Sequence, residues 1–490
     1  MKSVRTLSVI IILSLILALV PSAFAAAPPG NWVSGISCQN LTDSAANITL
    51  NFYEEGSSTS VLEYVDPTPI PANGSRNYFT PSSPPGVPDG FLGSVVVSST
   101  AELACNVNTQ TSSTGTQSDP YRIGTSSGFS DDGDATVESG EPAGTMYAPQ
   151  VMKNLAGTWS SYIAVQNTTG SDVTVEVSYK DRFGVDVPAA TESTSVPGNS
   201  NHVFYQTDNA SLPNGFLGAA TVASSGGEKL AVTVNFYNSA SSYTTAQFHS
   251  YNGLSVGANE LLVPRVVRNF YGYNSGISIQ NVGGGPTTVS IAFNFAGTTY
   301  NYNSPTINAG AALALYLPDV AALNPVDAIP VNNRFGSATI TAAAGGEIVA
   351  IVNEDNRGGT GIPAERVGQG TTYNATPSGA ETNVVLLPQV PRKAGGIFSG
   401  GFQVSNTTGT AGTCDIVYNS DTDANQNDVP LPANGSISIY APNVTNLNDG
   451  YNASVTVTCT QPAVGISNLA VEPGSGRFGD SFTQNNAINQ

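Results

Sequence analysis

Only two histidines, His202 and His249, occur in 490 residues, and both fall in one quarter of the chain. Proton transfer and transition-metal binding near neutral pH draw first on histidine, so such a centre has almost no material here. The four cysteines form the most specific covalent signal. Cys38 and Cys105 lie early and Cys414 and Cys459 late, with no Cys-x-x-Cys and no neighbouring histidine to suggest a metal. In a secreted chain they read as two disulfides, each within one structural unit.

Oxygen ligands are more plentiful. Asp421, Asp423, Asn425, Asn427 and Asp428 bring side-chain oxygens to nearly alternate positions, as calcium loops do, but the run lacks the glycine at position six and glutamate at position twelve of an EF-hand. Asp131, Asp132, Asp134, Glu138 and Glu141 make a looser acidic loop. A solvated polar loop is the preferred reading of both, with calcium the one small ligand worth testing; otherwise no cofactor is expected. Gly253-Leu-Ser255-Val-Gly257 matches a hydrolase elbow by letters, without the strand-turn-helix that would make a nucleophile of Ser255. Gly474-Ser-Gly476-Arg-Phe-Gly479 matches a dinucleotide fingerprint with no helix after it. No enzyme is expected.

The elements that carry these residues repeat four times. Each copy has an aromatic, an Asn eight positions on, and an aromatic twelve further: Trp32, Asn40, Phe52; Trp159, Asn167, Tyr179; Tyr273, Asn281, Phe293; Phe398, Asn406, Tyr418. Alternating apolar positions lie on both sides of the Asn, such as Ile277/Ile279 and Val289/Ile291, so each copy predicts two half-buried strands joined as a β-hairpin. The Asn reads as a turn cap rather than one rung of a sugar-binding ladder. The first aromatics read as junction core rather than stacking platforms. Later strands, announced by turns such as Asn73-Gly74, must cover the hairpin's apolar face, because a hairpin alone cannot bury it.

The resulting fold class is all-β: four tandem immunoglobulin- or fibronectin-like β-sandwich domains in a rod, spanning 26–145, 146–260, 261–384 and 385–490. Before them, 1–25 reads as a signal peptide, with Lys2 and Arg5, the apolar Leu7 to Val20, and a cleavage site at Ala23-Phe-Ala25. No transmembrane segment is expected after its removal. Losing its two cations moves the net charge from −19 to −21, with 35 Asp+Glu and only 10% of residues charged. Nucleic acid is excluded as a partner, since no basic patch exists to displace phosphate counterions. The Asn-x-Ser/Thr sequons, Asn47, Asn167, Asn209 and Asn452 among them, are no more frequent than composition gives.

A further phrase enters repeats 2 to 4: Ala148-Pro-Gln-Val151, Val263-Pro-Arg-Val266 and Leu387-Pro-Gln-Val390. Proline suits an edge strand or a linker there. Repeat 1 lacks the phrase, which reads as a trimmed first unit; the alternative is an open sheet edge that a neighbour's strand completes. Phe482 to Gln490 is too polar to look like that donor.

The stretch Pro264 to Asn281, Pro-x-Val-x-Arg followed by an aromatic and Ser-Gly-Ile-x-Ile-Gln-Asn, resembles tandem Ig-like repeats of uncharacterised secreted bacterial cell-surface proteins. That resemblance implies an extracellular, cell-surface location and supplies no catalytic residues. The function expected is a secreted structural or adhesive component of a sheath, surface layer or filament, acting by presentation and self-association or by contact with other surface proteins. The alternative is an extracellular glycan-binding array with polysaccharide as partner.

Overall fold

The computed structural model describes residues 28–80, 82–129 and 141–489. The expected signal peptide, its cleavage site and the acidic positions Asp131, Asp132, Asp134 and Glu138 lie outside them. Several antiparallel sheets make the chain all-β, arranged as successive two-sheet sandwiches.

Repeat 1 contains β1 (Trp32–Asn40), β2 (Ile48–Glu54), β3 (Ser60–Val65), β4 (Ser75–Phe79), β5 (Gly93–Ser99), β6 (Leu103–Thr111) and β7 (Ile123–Ser127). Its sheets have the orders β4-β1-β6-β7 and β3-β2-β5. Repeat 2 adds a strand in front: β8 (Thr145–Lys153), β9 (Trp159–Asn167), β10 (Val173–Asp181), β11 (Glu192–Val196), β12 (Asn201–Tyr205), β13 (Phe216–Ser224), β14 (Leu230–Asn238) and β15 (Phe248–Asn252). Its orders are β12-β9-β14-β15 and β11-β10-β13-β8. Repeats 3 and 4 follow repeat 2, each beginning with a first strand, Glu260–Val267 or Thr382–Pro391. In repeat 4 the two strands equivalent to β13 and β14 run on as one, Asn452–Val471.

The expected hairpin is not there. β1 pairs with β4 and β6, and β2 with β3 and β5, so the turn after the key Asn carries the chain across the core to the opposite sheet. Alternation buries one face equally well whether the next strand pairs alongside or faces it across the core, which is why the pattern could not choose. The Asn decides locally. Asn167 is fully buried; its amide donates to the carbonyls of Ser171, Val196 and Pro197, and its Oδ1 accepts from the N–H and hydroxyl of Thr169. Asn40 makes the same set, Asn406 the same less one carbonyl, and Asn281 a shorter one still. Each thereby ties the crossing turn to the segment before the β12-type strand, which itself turns at Asn73, Asn199 or Asn434 with positive φ.

Both disulfides staple neighbouring strands of one sheet. Cys38 of β1 lies directly opposite Cys105 of β6, and Cys414 opposite Cys459, with Cα atoms 4.1 and 4.0 Å apart. The prolines of the repeated phrase sit at β-bulges in the first strands, where the partner strand skips a residue and the missing N–H leaves no gap in the ladder.

The rod expectation fails. β7 packs on β15, β15 on Gly370–Asn374, that strand on Thr483–Asn486, and the last back on β7, so four units close around one axis. Phe478 and Gly479 dock on Tyr121 of repeat 1, and Asn108 of β6 bonds Gln389 of repeat 4. Instead of hanging free, the polar terminus completes repeat 4: Thr483–Asn486 and Ile488–Asn489 pair with Asn452–Val471 and Thr382–Pro391.

Candidate functional site

The closing axis is built from amides and hydroxyls. Asn252 clamps the backbone of Ser127, its Oδ1 accepting from the N–H and its Nδ2 donating to the carbonyl. Asn374 donates to the carbonyl of Asn252, while Asn486 clamps Asn374 as Asn252 clamps Ser127. Three units thus hold the next strand through an equivalent Asn, and at the fourth place Ser127, too short to do so, donates to Asn485 Oδ1 instead. Buried polar groups are tolerated only where partners meet them, so the axis is specific as well as buried.

Next to this column, Asp480 is buried and accepts from the N–H groups of Phe248 and Gly370, joining three repeats at one carboxyl. Burial holds its pKa well above the usual carboxylate range despite these bonds and the nearby Arg122. His249, whose Nε2 lies 4.0 Å from Asp480, meets Thr372 through Nδ1 at 3.1 Å, and burial pushes its pKa down to about 3. His202 is far from this pair in role, contacting Glu55 at 3.0 Å across the junction of repeats 1 and 2.

The first aromatics serve those junctions. Trp32 packs on Phe248, Tyr273 on Phe482 and Phe398 on Tyr121, each against the last strand region of the next unit around the ring, while Trp159 meets Phe236 and His249 within its own. None stands as an open ring for a sugar. Of the sequons, Asn167 and Asn209 are buried and hydrogen-bonded, leaving no room for a glycan, whereas Asn47 is exposed.

The calcium candidates do not converge. Asp421 is buried and accepts from the backbone and side chain of Asn448; Asn425 Oδ1 accepts from the N–H of Tyr418; Asp423, Asn427 and Asp428 are exposed. Among the described residues no group of three or more His, Cys, Asp or Glu side chains gathers as metal ligands would. Ser255 lies in an extended segment beside β8, and Gly474–Gly479 is a turn leading to the dock on Tyr121. Among the described residues no helix is long and apolar enough to cross a membrane.

The site that sequence reasoning only half saw is the edge of β5, beside which no described strand takes the place of β8. β13 pairs with β8, and the equivalent strands of repeats 3 and 4 pair with Glu260–Val267 and Thr382–Pro391. Among the described residues β5 pairs with β2 alone, leaving one edge of Gly-Ser-Val-Val-Val-Ser-Ser open. No charge, proline or bulge protects that edge, the devices by which exposed strands avoid pairing. Val95 and Val97 are half-buried, while their counterparts Ala220 and Val222, Ala338 and Ile340, and Val455 and Val457 are buried. The signal for this was the missing proline phrase itself.

A scan against protein-family models finds no match, and no curated protein matches the chain. Among solved structures, the pilus backbone protein RrgB of Streptococcus pneumoniae aligns at 8% identity over 79% of this chain and 86% of its own, with a TM-score of 0.12, a likeness too slight to inform fold or function.

Proposed function

We propose that the chain is an extracellular structural or adhesive component of a sheath, surface layer or filament, acting by presentation and self-association and without catalytic chemistry of its own. The observation that carries this is the edge of β5, left unpaired among the described residues while the other first-strand places are filled. An unpaired row of N–H and C=O groups over half-exposed valines pairs readily with another strand. Two disulfides support an oxidising, extracellular setting, and closure into a ring makes the unit a stiff block that presents its loops in fixed directions. Polysaccharide binding lacks comparable support, because the repeated aromatics are spent on packing.

Electron microscopy of the protein beginning at Ala26, with and without calcium, tests the proposal. Filaments or sheets are expected; isolated rings at every concentration in both conditions would overturn it.

A further inference from the structure

In repeats 1 to 3 the strand sent to the axis is preceded by one residue that reaches the next unit. Gln247 and Gln369 hold this position in repeats 2 and 3, their carbonyls accepting from the N–H groups of Asn238 and Asn356. Both side chains are buried, Gln247 Nε2 donating to the Gln369 carbonyl at 3.4 Å and Gln369 Nε2 to Ser481 Oγ at 2.8 Å. Repeat 1 has Arg122 in the same place, its carbonyl accepting from the N–H of Thr111 and its own N–H donating to Thr111 Oγ1. Its Nη2 reaches the next unit as the glutamines do, donating to the Ala240 carbonyl at 3.3 Å. A neutral amide therefore satisfies this position, and the positive charge of Arg122 is more than the ring requires.

That charge is poorly met by the protein. Arg122 is 6% exposed, its Nη1 lies 3.5 Å from the Pro29 carbonyl, and its Nε is buried without a partner. Burial pulls its pKa below the usual range, while the carboxylates that oppose this, Asp480 and Asp119, act through space without a hydrogen bond. The other arginines buried among the described residues, Arg265 and Arg268, each meet a carboxylate, Glu354 and Asp327, at 2.9 Å. A buried cation lacking such a partner is costly. What Arg122 lines instead is a polar cavity of about 120 Å³, room for about four waters at ~30 Å³ each. Thr111 and Ser113, their hydroxyls 3.1 Å apart, line it with Arg122, and the exposed Asn31, Ser112 and Asp119 form its rim. Asp119 is fixed there by Thr114, whose N–H and hydroxyl both donate to its Oδ2.

We propose that this cavity is a binding site for a small, singly charged hydroxycarboxylate, with the carboxylate against the Arg122 guanidinium and the hydroxyl toward Asp119. Three features select that class. A guanidinium is a planar fork that matches a carboxylate with two parallel bonds, which an ammonium or an amide cannot do. Asp119 at the rim repels a dianion such as sulfate or phosphate while offering an acceptor to a hydroxyl. The volume admits only a few heavy atoms, so a uronic acid at the end of a sugar chain enters by its carboxylate and leaves its ring outside, whereas a short free acid enters whole. This site goes beyond the structural role proposed above and does not depend on the edge of β5.

Titration calorimetry on the form beginning at Ala26 tests the site, with sodium lactate, sodium glucuronate and sodium sulfate as probes at constant ionic strength. Lactate should bind at one site per chain. Arg122→Gln installs the residue that repeats 2 and 3 already carry, and it should weaken lactate at least about tenfold through loss of the charge-assisted bonds. Arg122→Lys keeps the charge without the fork and should fall between the two; it reads the same contrast should the glutamine loosen the ring. Sulfate should bind more weakly than lactate, and Asp119→Asn should narrow that gap. Binding of glucuronate as well as lactate assigns the site to a sugar-borne carboxylate and binding of lactate alone to a free acid, and either result upholds it. No binding of either carboxylate, or binding that both Arg122 variants leave intact, overturns the site, and sulfate binding as tightly as lactate overturns the ligand class.

Discussion

Asn167 makes five hydrogen bonds from a fully buried amide, and nothing else in its turn could replace them. Asn167→Ala should cost about 2–4 kcal/mol, because three carbonyls and a threonine lose their partner inside the protein. Asn167→Asp should cost as much or more, since a carboxylate would face those same carbonyls. The urea midpoint measures both. His249 gives a residue-scale pH dependence: its folded pKa, pushed to about 3 by burial, lies below the ordinary 6.5. Its contribution to stability is complete above pH 6.5 and is lost as pH falls toward 3, where the unfolded chain takes up a proton that the folded one refuses. Asp480 works the other way, its raised pKa favouring the folded state at low pH. His249→Gln should therefore flatten the fall in urea midpoint between pH 6.5 and 3, and an unchanged slope would assign that fall to other groups.

At the scale of elements, the paired strands that carry the disulfides are already aligned by their ladders. The covalent link thus acts mainly on the unfolded chain, closing loops of 67 and 45 residues. The chain-entropy model puts each at about 4 kcal/mol. The double variants Cys38→Ala/Cys105→Ala and Cys414→Ala/Cys459→Ala should each lower stability by up to that amount, and their effects should add, since they lie in separate cores. A denaturation series on the two variants and their combination checks this. The first strands matter for a second reason: Val349 and Ile351 of repeat 3 belong to the core of repeat 2, and Ile466 of repeat 4 to that of repeat 3. Neighbouring sandwiches share interior, so their unfolding should be coupled rather than unit by unit.

For the whole molecule, closure around the axis predicts a compact particle. Solution scattering on the form beginning at Ala26 should give a radius of gyration near that of a single globule of its length, about 23 Å for a monomer, and a larger, rod-like value would contradict the ring. The axis offers a direct perturbation. Asn374→Ala removes the bond that Asn374 donates to the Asn252 carbonyl without touching any sandwich core, and should increase the scattering radius or the protease sensitivity of the junctions more than it lowers the secondary-structure signal.

The amino-acid sequence by itself determined the fourfold repeat, the all-β sandwich class, the two cysteine pairs and the odd status of repeat 1, because each rests on local spacing that burial on one face imposes. It could not tell pairing from facing, so the strands on either side of Asn40, Asn167, Asn281 and Asn406 read as hairpins though they lie in opposite sheets. Nor could it tell a rod from a ring. The residues that close the ring, Asn252, Asn374, Asn486 and Asp480, are polar and read as surface, and only the convergence of four last strands removes them from water and supplies their partners. The terminus reads as too polar for a donor strand for the same reason. Long-range contacts, not local pattern, set the cost of burying an amide, and that cost is where tertiary structure had the deciding voice.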